Sequence, residues 1–259
     1  MEFAKILKDL EVELGRFHCR PRTLVPDLVL LGLATDVFES AMAVYGTSQS
    51  ALPHKAYSNA RLAFEGAQNL VVLATHEDYE RSGARAWVYF ELKDASWRAT
   101  NERKKNILAS PLTPDQWFDE RIAQMVAIWN SVAQRQGELL VDARAVVLRD
   151  RKKRPDNWLH EDMTVRQHRA YTLFAAAKGK KFPAETTELN RAIYQALCRE
   201  THARPRLDSF GVLRDDNGML LVHVLPRNLE KAKYAVIAGT EICVQEAATA
   251  LRWQRTCSD

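Results

Sequence analysis

SNARLAFEGAQNLVVLA, residues 58–74, decides how the chain folds. Leu62, Ala63, Gly66, Leu70 and Leu73 recur at three- and four-residue steps, so they can share one face of a helix. The spacing predicts a helix from about Pro53 to His76 with those five residues buried. Two charges interrupt the apolar run. Arg61 and Glu65 stand four apart and therefore project from the same helix face. A charge among apolar neighbours must be paired, because desolvating it alone costs several kcal/mol.

Upstream, Phe3, Ile6, Leu7, Leu10 and Leu14 repeat at helical spacing, which predicts a first helix over about Glu2 to Leu14. FHCRPRT (17–23) breaks it at Pro21. A second helix is expected from Pro26 to about Tyr45, with Gly46 as its C-cap. Downstream, a fourth helix is expected from near Asp78 to Asn106, with Trp87, Phe90, Asp94 and Trp97 at helical steps. Thr113-Pro114-Asp115-Gln116 is a helix start: Thr113 caps, Pro114 suits the first turn and Gln116 closes the capping box. That helix is expected to run to about Arg149, where RDRKKRPDNW (149–158) ends it. Thr164 to Lys178 and Thr186 to Thr201 read as two more, with GKKFP (179–183) between them.

The pattern changes at SFGVLRDDNGMLLVHVLP (209–226), where two short apolar runs flank Asp215-Asp216-Asn217-Gly218. Asn-Gly between such runs signals a β-hairpin, since both residues tolerate positive φ. The expected fold class is mainly α: a multi-helix bundle with one small β-hairpin near the C-terminus. Residues 1–259 read as a single helical domain, with the hairpin at about 209–225 and a closing helix at about 228–252, Asn228 as its cap.

Composition agrees with a helical globular chain. Only 10 Gly and 9 Pro occur in 259 residues, too few breakers for a many-turned β fold. The net charge of +4, from 37 basic and 33 acidic residues, is too mild to mark a nucleic-acid binder by itself. Cys19, Cys198, Cys243 and Cys257 lack metal-ligand spacing, and free thiols suit a reducing compartment. MEFAKILKDLEVELG has no signal-peptide pattern. LVPDLVLLGLA is short and broken by Pro26 and Asp27, so no membrane span is expected and the expected location is cytoplasmic.

Three features offer chemistry. Arg61–Glu65 is either an ion pair that fixes bundle register or part of a polar cleft. Arg199 and His202, in LCRETHARPRLD (197–208), are three apart. His202 titrates near neutrality and suits acid–base work, and an Arg beside it stabilises an anion. Pro205 ends the helix here, so the same cations also complement a helix C-terminus without further role. The run Arg149, Arg151, Lys152, Lys153, Arg154, joined by Lys178, Lys180 and Lys181, reads as a phosphate-binding surface or as a solvated face. No metal or other cofactor is expected: Glu-x-x-His is missing, Glu161 and His168 are seven apart, and P-loop, dinucleotide and nucleophile-elbow motifs do not occur.

The order of these motifs resembles a family of mostly helical bacterial proteins known only as a domain of unknown function. The resemblance lies in Arg61-Leu62-Ala63-Phe64-Glu65 and in the helix from Tyr194 through Arg199 to His202 that precedes a β excursion and a closing helix. It spans roughly residues 25 to 253. That family is similar, at a distance, to HEPN nucleases and abortive-infection proteins. The resemblance implies a metal-independent, RNase-like, defence-associated protein. Its site would gather Arg61, Glu65, Tyr194, Arg199 and His202, with His202 as acid/base and Arg199 or Arg61 on the phosphate. HEPN nucleases separate their Arg and His by about four to six residues, whereas here only two stand between Arg199 and His202. The alternatives are a non-catalytic helical binding protein, for a partner or nucleic acid, and a pocket for a small anionic ligand in the bundle. RNA is the expected partner, a homodimer is open, and no membrane is involved.

Overall fold

The computed structural model describes residues 2–48, 56–91, 116, 119, 120, 123, 137–147, 163–177, 179, 197, 210–214, 220–224 and 229–256. They are mainly helical. Helix α1 spans Glu2–Arg16, a 3-10 turn covers Pro21–Thr23, α2 spans Leu24–Ser48 and α3 spans Tyr57–Ala74. Residues 79–91 form α4 and residues 137–147 form α5. Helix α6 spans Met163–Ala177 and α7 spans Leu229–Thr256. Phe210–Arg214 and Leu220–Val224 have extended backbones that pair antiparallel, Val212 opposite Val222.

Helix α2 is the hub. Its residues are apolar around most of the circumference, as suits a helix with neighbours on several sides. It packs on α1, α3 and α7. By length and composition Pro21–Thr47 could also cross a bilayer. That combination is shared by core helices, and here Leu30, Ala34, Val37, Ala41 and Val44 are fully buried against the other helices. Phe3, Leu7 and Leu10 of α1 and Val244, Ala247 and Leu251 of α7 complete the same core. A second, smaller cluster joins Val25 of α2, Ala84 and Val88 of α4, and Leu140, Ala143 and Val147 of α5.

Two glycines set the distance between helices. A Cβ at Gly66 of α3 would stand 2.8 Å from Val37 Cγ2 and 3.7 Å from the Leu33 carbonyl. One at Gly83 of α4 would stand 2.1 Å from Pro26 Cβ and 2.5 Å from Pro26 Cα. Neither position has room for a side chain, so α3 and α4 approach α2 with their backbones.

The structure revises three expectations. Leu62 is 54% exposed, whereas Ala63, Gly66, Leu70 and Leu73 are buried. The first turns of α3 bury only the face of Ala60, Ala63, Phe64 and Ala67, and Leu62 projects away from it; the last turn, Leu70 to Ala74, is enclosed on every side. Gly46 does not cap α2, which runs on to Ser48. The one positive-φ glycine among the described residues is Gly179, at +64°, whose N–H donates to the Ala176 carbonyl (2.9 Å) beyond the end of α6. Helix α7 continues to Thr256, four residues past its expected end. The predicted helix starting at Thr113 is represented by α5 and a few isolated helical residues. Most of the expected 186–201 helix, the Asn217-Gly218 turn, Asn228 and residues 92–106 lie outside the described residues.

The contact at Gly83 makes a direct prediction. Gly83→Ala forces α4 away from Pro26 and should destabilise the fold by about 1–3 kcal/mol. Urea unfolding measures this; an unchanged midpoint would be incompatible with that close approach.

Candidate functional site

The most buried charge in the described structure is Asp27, 0% exposed, in the first turn of α2. An acid there complements the helix dipole, but burial demands much more. Five donors supply it. Arg20 gives its backbone N–H (2.8 Å) and Nε (3.0 Å) to Oδ2 and its Nη2 (2.7 Å) to Oδ1. Thr23 Oγ1 donates to Oδ2 (2.8 Å), and Tyr79 Oη donates to Oδ1 from the start of α4 (3.0 Å). The Pro21–Thr23 turn bends the chain so that Arg20 and Thr23 both reach back to the carboxylate.

The guanidinium extends the network. Arg20 Nη2 donates to Gln254 Oε1 (3.2 Å) and Nη1 to the Gln254 carbonyl (3.4 Å), near the end of α7. Gln254 Nε2 in turn donates to the Ala74 carbonyl at the end of α3. The Arg20 charge also lies 5.8 Å from the centre of the Tyr79 ring. Hydrogen bonds to Asp27 hold the Arg20 pKa above its usual value. Burial, and then the Asp27 charge, push the Tyr79 phenol far above its usual range. The neighbouring Cys19 thiol is raised by burial and by Asp27, with Arg20 opposing. A saturated carboxylate, a neutral phenol and a protonated thiol supply neither a base nor a nucleophile at neutral pH. The arrangement is a clasp that ties the α1–α2 connection to α3, α4 and α7.

Beside the clasp lies an open groove of about 560 Å³. Thr23 and Tyr79 border it, and Glu77, Asp78, Glu80, Glu138 and Asp142 make it acidic, with Arg81 the one cation in its described lining. Glu77 is partly neutralised from α6, by Arg166 (2.7 Å) and Arg169 (3.0 Å). Its own backbone N–H lowers its carboxyl pKa most strongly, burial opposes this next, and then Arg166 and Arg169 help hold it below the usual range. Such a lining repels phosphate. Among the described residues no group of three or more His, Cys, Asp or Glu could hold a metal ion.

Of the residues singled out from sequence, the structure describes Arg61 and Glu65. Arg61 Nε donates to Glu65 Oε1 at 2.8 Å along α3, the side chains 26% and 35% exposed. Asn69 Nδ2 donates to the Glu65 carbonyl one turn on. Tyr194, Arg199, His202, Arg149, Arg151, Lys152, Lys153 and Arg154 lie outside the described residues; Leu197, between Tyr194 and Arg199, is buried in the main core. A second polar contact joins α6 to α7, where Tyr171 Oη donates to Glu246 Oε2 (2.8 Å). Burial, and then Glu246, raise both the Tyr171 phenol and the Cys243 thiol well above their usual values.

Sequence reasoning passed over Arg20, Asp27, Tyr79 and Gln254. One signal was available: an Asp inside LVPDLVLL has to find a cation once that helix is buried. Removing the charge should reveal the clasp. Asp27→Asn is expected to lower stability by about 3 kcal/mol, since it strands the Arg20 charge. Tyr79→Phe, which removes one of five donors, should cost about 1 kcal/mol. Thermal and urea unfolding read both; equal, negligible losses would contradict the clasp. Compared with known proteins, the chain matches no family model, no curated protein and no solved structure.

Proposed function

We propose that this chain is a non-catalytic helical binding protein that takes a nucleic-acid partner through the basic run Arg149, Arg151, Lys152, Lys153 and Arg154. The observation that carries the non-catalytic half is the Arg61–Glu65 pair. Each residue has its opposite charge 2.8 Å away on its own helix, which is how a structural ion pair is built. Charge patterning along the sequence supports the binding half. Five carboxylates line the groove beside the clasp, while five cations fall within the six residues 149–154. A dense cationic run attracts a polyanion, whereas the acidic groove repels one.

Salt dependence tests the reading. The triple variant Arg151→Ala, Lys152→Ala, Lys153→Ala should weaken binding of single-stranded RNA. It should also flatten the slope of log K against log salt by about 2–3. Unchanged affinity and slope would remove the basic run from the interface.

A second reading keeps one favourable observation. Arg61 and Glu65 are a quarter to a third exposed, so another helix can still meet them. On that reading the protein is a metal-independent ribonuclease with His202 as acid/base and Arg199 or Arg61 on the phosphate. Labelled RNA incubated with chelator should then be cut by the wild type. His202→Ala should cut it about 10²–10⁴-fold more slowly. Equal cleavage by both, or cleavage by neither, leaves the binding reading alone. The finer architecture belongs to the same proposal: residues 209–225 form a stable hairpin appended to the bundle, motivated by Asn217-Gly218 between two apolar runs.

A further inference from the structure

A cleft of about 370 Å³ opens between α2 and α4, away from the acidic groove. Among the described residues, Leu28, Val29, Gly32, Leu33 and Asp36 form its α2 side, and Trp87, Phe90 and Glu91 its α4 side. Its volume is in the range of small-ligand sites, and its composition, an apolar body with few polar groups, is theirs too. Both polar side chains in its described lining are acids. An aromatic pair beside carboxylates is the chemistry that holds an organic ammonium: the rings attract the cation through their quadrupoles and the carboxylates through charge.

Two further observations point the same way. Asp36 makes no ion pair among the described residues. Burial raises its carboxyl pKa and Glu39, one turn on, raises it further. Gly32 lies inside a long helix, where glycine weakens the structure. At Gly66 and Gly83 packing requires glycine, but a Cβ at Gly32 would meet nothing within 4 Å. Gly15, Gly46 and Gly239 are equally open, yet of these four Gly32 alone lines the cleft. Its missing side chain leaves the cleft clear.

We propose that the α2–α4 cleft is a binding site for a small amphiphilic organic cation, an ammonium carried on an aromatic or branched hydrocarbon body. The apolar body rests between Leu33, Trp87 and Phe90, and the ammonium sits beside Asp36. This site is independent of the basic run and does not rest on the nucleic-acid reading.

Calorimetric titration of the full chain with benzyltrimethylammonium tests it, with benzyl alcohol and phenylacetate as neutral and anionic counterparts. The cation should bind with Kd on the order of 0.1–1 mM, and both counterparts at least about tenfold more weakly. Asp36→Asn should weaken the cation about tenfold. Gly32→Leu should abolish binding while keeping or raising the melting temperature, because its Cβ meets nothing within 4 Å, the side chain fills the cleft, and a helix-weakening glycine is removed. No binding of the cation by the wild type overturns the proposal, as does equal binding of phenylacetate. So does binding that survives both substitutions, which would locate the cation elsewhere. If a basic amphipathic peptide binds where the small ammonium does not, the cleft is a protein-docking groove and the small-ligand site is refuted.

Discussion

A fully buried carboxylate has to be answered, and the way Asp27 is answered organises the molecule. Removing an ionised group from water costs more than one contact returns, so Asp27 collects five donors from Arg20, Thr23 and Tyr79. Arg20, drawn in to neutralise it, then has its own donors to satisfy and finds Gln254. Gln254 closes the set on the free carbonyl of Ala74. One desolvated charge thus joins four places along the chain. It also fixes the geometry of the connection into α2, whose Pro21–Thr23 turn would otherwise be free to pivot.

With its N-terminus held, α2 becomes the element that the others dress. Its apolar circumference calls for partners on several sides, and Gly66 and Gly83 let two of them approach at backbone distance. Both described openings follow from this arrangement. The acidic groove lies where α4 begins and α5 crosses, beside the clasp. The smaller cleft lies between α2 and α4, lined by Leu33 and Trp87 among others. Carboxylates predominate among the described charged residues of both openings.

Local order was well written into the residues. The three- and four-residue spacing in 58–74 and the apolar repeats of α1 specify helices that the structure contains within a few residues of the expected limits. The Arg61–Glu65 contact was equally legible, because four residues along a helix is a neighbourly distance in any fold. Errors arose where packing overrides local rules. Gly46 has the composition of a cap, but α2 continues through it to Ser48. Leu62 has the spacing of a core residue, yet it projects away from the buried face of α3 and remains exposed.

The sequence by itself determined a mainly helical chain, the positions of its best-patterned helices and the Arg61–Glu65 ion pair along one helix. Tertiary structure decided which charges are buried and which cavities exist. Tyr79 meets Asp27 across 52 residues, and Gln254 meets Arg20 across 234. Periodicity reports only which face of a helix is apolar; it carries no information about which distant side chain will arrive there. Partners at that separation are chosen by helix packing, because a buried charge accepts whichever donors the completed fold brings within reach.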